Sequence, residues 1–159
     1  MIIDSVFLSY MKLIYFGKKR ERLPEEEELI KRINYKQKLD IDAIDQAGIK
    51  DIAANKAKEA EKLLGKIQDR DVLVVFDENG KDMDSLEFAS FIKKQQEEAQ
   101  NIIFCIGGAY GHGPEVLERA NRKINLGKMI WTRSLARYMV LEQIYRAGEI
   151  NSGSNFHKA

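Results

Sequence analysis

Ile102-Ile103-Phe104-Cys105-Ile106 runs straight into Gly107-Gly108-Ala109-Tyr110-Gly111-His112-Gly113, and Pro114 follows. Five consecutive apolar residues have no polar face, so the run reads as a strand buried on both sides. The next seven residues hold four glycines. Glycine tolerates positive φ and close backbone approach, which suits a turn or a ligand cradle. Proline is favoured in the first turn of a helix, so Pro114 predicts a helix start. Strand, glycine-rich loop, helix is the unit of an α/β protein.

The same alternation extends in both directions. Lys12–Phe16 and Val72–Phe76 read as further strands, and Leu39–Ile44 alternates like a half-buried one. Helical patterns separate them. Pro24 opens a helix over Glu25–Ile33 whose acidic first turn suits the helix dipole. Ile49–Ile67 is a long amphipathic helix. Ser85 caps a helix reaching about Ala99, and Leu135–Ala147 is strongly patterned. Asp77-Glu78-Asn79-Gly80 reads as a turn, Lys128–Trp131 as a short final strand, and Asn151–Ala159 as a polar tail. Together these predict an α/β fold with a mainly parallel sheet and helices on both faces. Ligands on such sheets bind beyond the carboxyl ends of the strands. Here those ends are Phe76-Asp77, Gly107-Gly108 and Trp131-Thr132.

A chain of 159 residues supports about one domain. That domain is expected over residues 11–159, with 1–10 as an N-terminal extension, because Met11 directly precedes a strand. No run approaches the roughly 18 to 20 apolar residues of a membrane span. The first ten residues lack a basic start and a small-residue cleavage site, so cytoplasmic location is expected. A net charge of +1 argues against nonspecific coating of nucleic acid. A local basic face remains open: from Pro114 onward eight basic residues face four acidic ones. The lone Cys105 lies in the apolar run and reads as a buried thiol. With one cysteine and two histidines, no metal site is expected.

Several residues invite a chemical reading beside a bland one. The glycine loop lacks the GK[ST] ending of a P-loop and is placed too late for a dinucleotide fingerprint. A tight turn explains it equally well. His112 reads most simply as a loop surface residue. Arg137 falls near a helix start, where the dipole disfavours a cation, so a carboxylate or phosphate partner is expected. Asn155-Phe156-His157-Lys158 could fray or could stack and pair with RNA.

The C-terminal half carries a resemblance. Ile106-Gly107-Gly108-Ala109-Tyr110-Gly111, Lys128-Met129-Ile130-Trp131-Thr132, Leu141-Glu142-Gln143-Ile144-Tyr145-Arg146-Ala147 and Phe156-His157-Lys158 are similar, in order and spacing, to the RlmH family of the SPOUT (α/β-knot) superfamily. Met11-Lys12-Leu13 and the strand ending Phe76-Asp77 before Asn79-Gly80-Lys81 agree more loosely. The resemblance implies a C-terminal trefoil knot, a homodimer and S-adenosylmethionine as cofactor. The implied reaction is methylation of N3 of a pseudouridine in 23S-type ribosomal RNA within the ribosome. By position, Phe76, Gly108, Gly127, Lys128, Met129, Ile130, Trp131 and Thr132 would bind the cofactor. Arg133, Arg137 and His157 would meet the substrate, with Arg137 and His157 catalytic. No metal is implied.

The chain departs from the family pattern at Arg133-Ser134, where a histidine usually stands, and at Asn155-Phe156, where the family has Pro-Tyr. Loss of the tyrosine removes a phenolic hydroxyl from the tail, and Arg133 cannot serve as a base. Other readings are a SPOUT methyltransferase with another RNA target, a silent RNA- or ribosome-binding knot protein, and a nucleotide-binding module without a knot.

Overall fold

The computed structural model describes residues 9–158. Five strands form one parallel sheet: β1 (Met11–Phe16), β2 (Leu39–Ile44), β3 (Val72–Lys81), β4 (Ile102–Ile106) and β5 (Arg122–Ile124), in the order β2-β1-β4-β3-β5. Five helices connect or follow them: α1 (Pro24–Ile33), α2 (Ile52–Leu64), α3 (Ser85–Glu97), α4 (Pro114–Arg119) and α5 (Arg133–Asn151). The apolar strand that opened the sequence reading is β4, at the centre of the sheet.

Side-chain alternation along β4 divides the core. Ile102, Phe104 and Ile106 face α1, α3 and α5, and pack with Leu13, Val74, Phe88, Leu141 and Ile144. Ile103 and Cys105 face α2 and α4, and pack with Ile14, Leu63, Val75 and Val116. Both faces are covered, which is why β1, β3 and β4 need continuous apolar runs. Cys105 is fully buried; burial and then the charge of Glu59 push its thiol pKa up.

The edges depart from the sequence reading. The final strand is Arg122–Ile124, not Lys128–Trp131. Arg122–Ile124 offers one buried side chain, Ile124, too little for a pattern to detect. Residues 125–132 form a loop instead, and Ile130 is 89% exposed. Asp77–Gly80 is not a turn either. β3 continues through it to Lys81, with a register irregularity between Phe76 and Lys81 opposite Ile124. Gly80 is required there: a Cβ would lie 2.7 Å from the Ile124 backbone.

Helix ends differ by short steps. Asp51 caps α2, so the helix starts three residues later than predicted. Asp84, not Ser85, caps α3, in a reciprocal capping box with Glu87. Ser85 instead donates to Gln143 Oε1 at 2.7 Å, tying α3 to α5. Thr132 caps α5, which therefore begins at Arg133 and places Arg137 in its second turn. Tyr10 already joins the sheet: its carbonyl accepts from Ile102 N of the central strand at 3.0 Å. Residues 1–8, most of the expected extension, lie outside the described residues.

Candidate active site

The carboxyl ends of β3 and β4 and the loop after β5 converge. Phe76 and Asp77 end the regular part of β3, Gly107 and Gly108 follow β4, and residues 126–131 pass in front of both. They enclose a cavity of about 510 Å³ bordered by Phe76, Gly108, Gly127, Met129, Ile130 and Trp131. That volume is in the range of cofactor sites. A second, more apolar cavity of about 460 Å³ lies between α3 and α5 and shares Phe76, Leu126 and Gly127 with the first.

The loop that forms the front wall is held by few bonds. Asn125 Nδ2 donates to Gly80 O at 2.9 Å, and Gly127 N donates to Asn125 Oδ1 at 3.0 Å. Gly127 sits at φ +102°, a conformation L side chains rarely adopt. Trp131 Nε1 donates to Leu126 O at 3.1 Å, which closes the loop on itself. Lys128 and Thr132 were expected at the cofactor. Neither borders the cavity: Lys128 is exposed, and Thr132 is committed to the α5 cap.

Arg133 does border it, and its Nη1 donates to Phe16 O at 3.1 Å, bridging the loop to the end of β1. Arg137 lies elsewhere. Its side chain is 3% exposed and forms an ion pair with the fully buried Glu26 of α1, Nη2 to Oε2 at 3.0 Å. The guanidinium also stacks over Tyr15 at 4.5 Å. Of the two partners foreseen for Arg137, the structure supplies the carboxylate. A phosphate would have to displace Glu26.

His157 is likewise away from the cavity. Its Nδ1 is 3.1 Å from Arg146 Nη1 on α5. Phe156 packs edge-on against Tyr145 at 5.0 Å and under the Arg146 guanidinium at 4.8 Å. The tail is therefore docked on the last turns of α5. Within one chain, Arg137 and His157 are not brought to the pocket.

His112 is a correction in the other direction. It is 6% exposed rather than a surface residue, and its loop folds back under the cavity. Burial pushes its pKa down to about 4, against a hydrogen bond with the Cys105 backbone and the charge of Asp77, which act to raise it. Gly108 borders the cavity and has a second reason to be glycine. A Cβ there would point away from the cavity, into Glu59 Oε1. Glycine is needed by what lies beneath the loop. Glu59 itself escaped the sequence reading. Asn55, Glu59 and Leu63 form one stripe of α2, all buried, and two polar residues on a buried stripe were the available signal.

Among the described residues no group of three or more His, Cys, Asp or Glu could hold a metal ion, and no helix is long and apolar enough to cross a membrane.

Residues 10–157 match the family model described as "Predicted SPOUT methyltransferase". The chain belongs to the SPOUT methyltransferase family. SPOUT methyltransferases use S-adenosylmethionine as methyl donor. Among relatives, the ribosomal RNA large subunit methyltransferase H of Lactococcus lactis subsp. lactis is 37% identical over 157 residues, covering 93% of this chain and 99% of its own. The protein of that name from Carboxydothermus hydrogenoformans is 36% identical over 155 residues, covering 92% and 98%. That from Gemmatimonas aurantiaca is 44% identical over 101 residues, 64% of this chain and 66% of its own. A solved structure, the SpoU methyltransferase AviRb from Streptomyces viridochromogenes in complex with the cofactor AdoMet, aligns at a TM-score of 0.46 and 12% identity, covering 92% of this chain and 59% of its own.

Proposed function

We propose that this SPOUT methyltransferase acts as an RlmH-type enzyme, moving a methyl group from S-adenosylmethionine to N3 of a pseudouridine in 23S-type ribosomal RNA. The near-complete coverage of relatives bearing the large-subunit methyltransferase H name supports the substrate class. The observation that carries the site is the convergence of Phe76, Gly108, Gly127, Met129, Ile130 and Trp131 on one cavity. The backbone of 127–131 would hydrogen-bond the adenine, and Ile130 and Trp131 would cover it. Lys128 and Thr132 would contribute through main-chain groups only. The residues fit the cofactor: an apolar wall, an open backbone edge and a loop whose glycines allow close approach.

The cofactor supplies an activated methyl group on a cationic sulfur. The protein's share is to hold the acceptor nitrogen in line and to help its proton leave. Arg133 borders the cavity and would bind RNA phosphate or the base carbonyls. Arg137, locked to Glu26, would act by fixing α5 against α1 and so the start of the helix that carries the loop. His157 would reach an active site only through a second copy of the chain.

A homodimer answers that need. Tyr110, Met129 and Ile130 line the pocket and are exposed, an apolar set that a second copy would cover. The C-terminal knot, the single domain over residues 11–159 and a cytoplasmic place beside the ribosome belong to the same reading. The engagement of Arg137 and His157 by their own chain favours one rival, a ribosome-binding knot protein without methyl transfer. Incubating the protein and labelled S-adenosylmethionine with ribosomes lacking the modification decides between them. Label on one pseudouridine, mapped by mass spectrometry, is expected. Ribosome binding without label would establish the silent protein.

A further inference from the structure

Glu59 stands out among the polar groups of the interior. It is 5% exposed, on α2 directly behind the glycine loop. One carboxylate oxygen, Oε2, accepts from Ala47 N at 3.1 Å. The other, Oε1, is buried and has no hydrogen-bond partner among the described residues. Oε1 lies against Gly108, where a Cβ would collide with it. Gly108 is at once the floor of the candidate cofactor cavity. An uncommitted buried carboxylate oxygen costs stability unless something offsets it.

Its neighbours do not neutralise it. His112 and Glu59 border a small void of about 10 Å³, room for about one water. His112 Nε2 also lacks a partner among the described residues, and burial disfavours the charged form of the ring. Lys56 borders both the void and the cavity, but among the described residues Glu59 takes part in no ion pair. Glu59 thus projects negative potential through a loop that has no side chain at position 108 to thicken it. Charges in such low-dielectric surroundings act over several ångströms.

We propose that Glu59 is a cofactor-selecting residue, a buried anion behind Gly108 that favours the cationic sulfonium donor over its neutral thioether product. It rests on the reading of the cavity as the S-adenosylmethionine site. The chemistry follows from charge alone. Methyl transfer turns a sulfonium into a thioether, so the attraction to Glu59 vanishes with the reaction and product release is helped.

Calorimetry of the full chain with S-adenosylmethionine and with S-adenosylhomocysteine tests it, using wild type, Glu59→Gln and Glu61→Gln. Glu61 is the control: it is a carboxylate of the same helix, exposed and paired with Lys58 on the surface. Glu59→Gln is expected to lower the affinity ratio of sulfonium to thioether about tenfold, with Glu61→Gln changing it less than twofold. Equal weakening of both ligands, no change, or an equal fall in Glu61→Gln overturns the role of Glu59 and leaves the pocket reading standing. Failure of wild type to bind either ligand overturns both. If Glu59→Gln does not fold, wild type is compared with sinefungin, which carries an ammonium where the sulfonium methyl would be. Tighter binding of sinefungin than of S-adenosylhomocysteine by several-fold supports the inference, and equal or weaker binding overturns it.

Discussion

Ile102–Ile106 and Met129–Trp131 are equally apolar, yet their fates are opposite. Every residue of the first is buried, flanked by β1 and β3. The second is open to solvent, with Met129 74% and Ile130 89% exposed. What separates them is not hydrophobicity but backbone partners. Residues 102–106 find a strand on each side, whereas residues 127–131 start from a glycine in the left-handed region and have no ladder to join. Apolar residues left uncovered at the carboxyl edge of a parallel sheet mark a surface that waits for something to bind.

Substitutions should sharpen that contrast. The largest effect belongs to the buried strand: Phe104→Ala should cost about 3–5 kcal/mol, through lost burial and the cavity left behind, read as a drop in urea midpoint. Arg137→Ala should destabilise by a comparable amount, roughly 3 kcal/mol, because Glu26 would remain buried without its partner. A stable Arg137→Ala protein that has lost only methyl transfer would return Arg137 to the substrate.

The glycine loop lies between the two regimes, and pH probes it. The folded-state pKa of His112 is about 4, below the ordinary 6.5. The unfolded chain therefore takes up a proton first as pH falls. Stability is complete above pH 6.5 and should decline by roughly 1 kcal/mol per pH unit on the way down to about 4. Urea titrations at pH 7, 6 and 5 should show this slope, and His112→Asn should flatten it. The smallest stability effect belongs to the exposed loop. Ile130→Ala should stay within about 0.5 kcal/mol of wild type, while weakening cofactor binding or self-association in calorimetry and sedimentation. Destabilisation as large as that of Phe104→Ala would erase the distinction between the two segments.

The sequence was most legible where one face or both faces of an element are apolar. β1, β4, α1 and α5 follow directly from period and run length, and with them the parallel sheet. β5 was hidden because one buried side chain makes no pattern, and the length of β3 because Asn79-Gly80 signals a turn with good reason. The cavity walls were legible through glycines and through the family resemblance. Its underside was not. Glu59 sits in a helix full of lysine and glutamate, where one buried carboxylate looks like any solvated one. The partner of Arg137 is 111 residues away in sequence, beyond any local rule.

The chain has one tryptophan, and the fold sets it at the mouth of the cavity, about one-third exposed and tethered through its indole nitrogen. The protein therefore carries its own optical reporter. Any molecule that settles against the loop must change the wetness of that indole, and emission from a single fluorophore will register occupancy without a label.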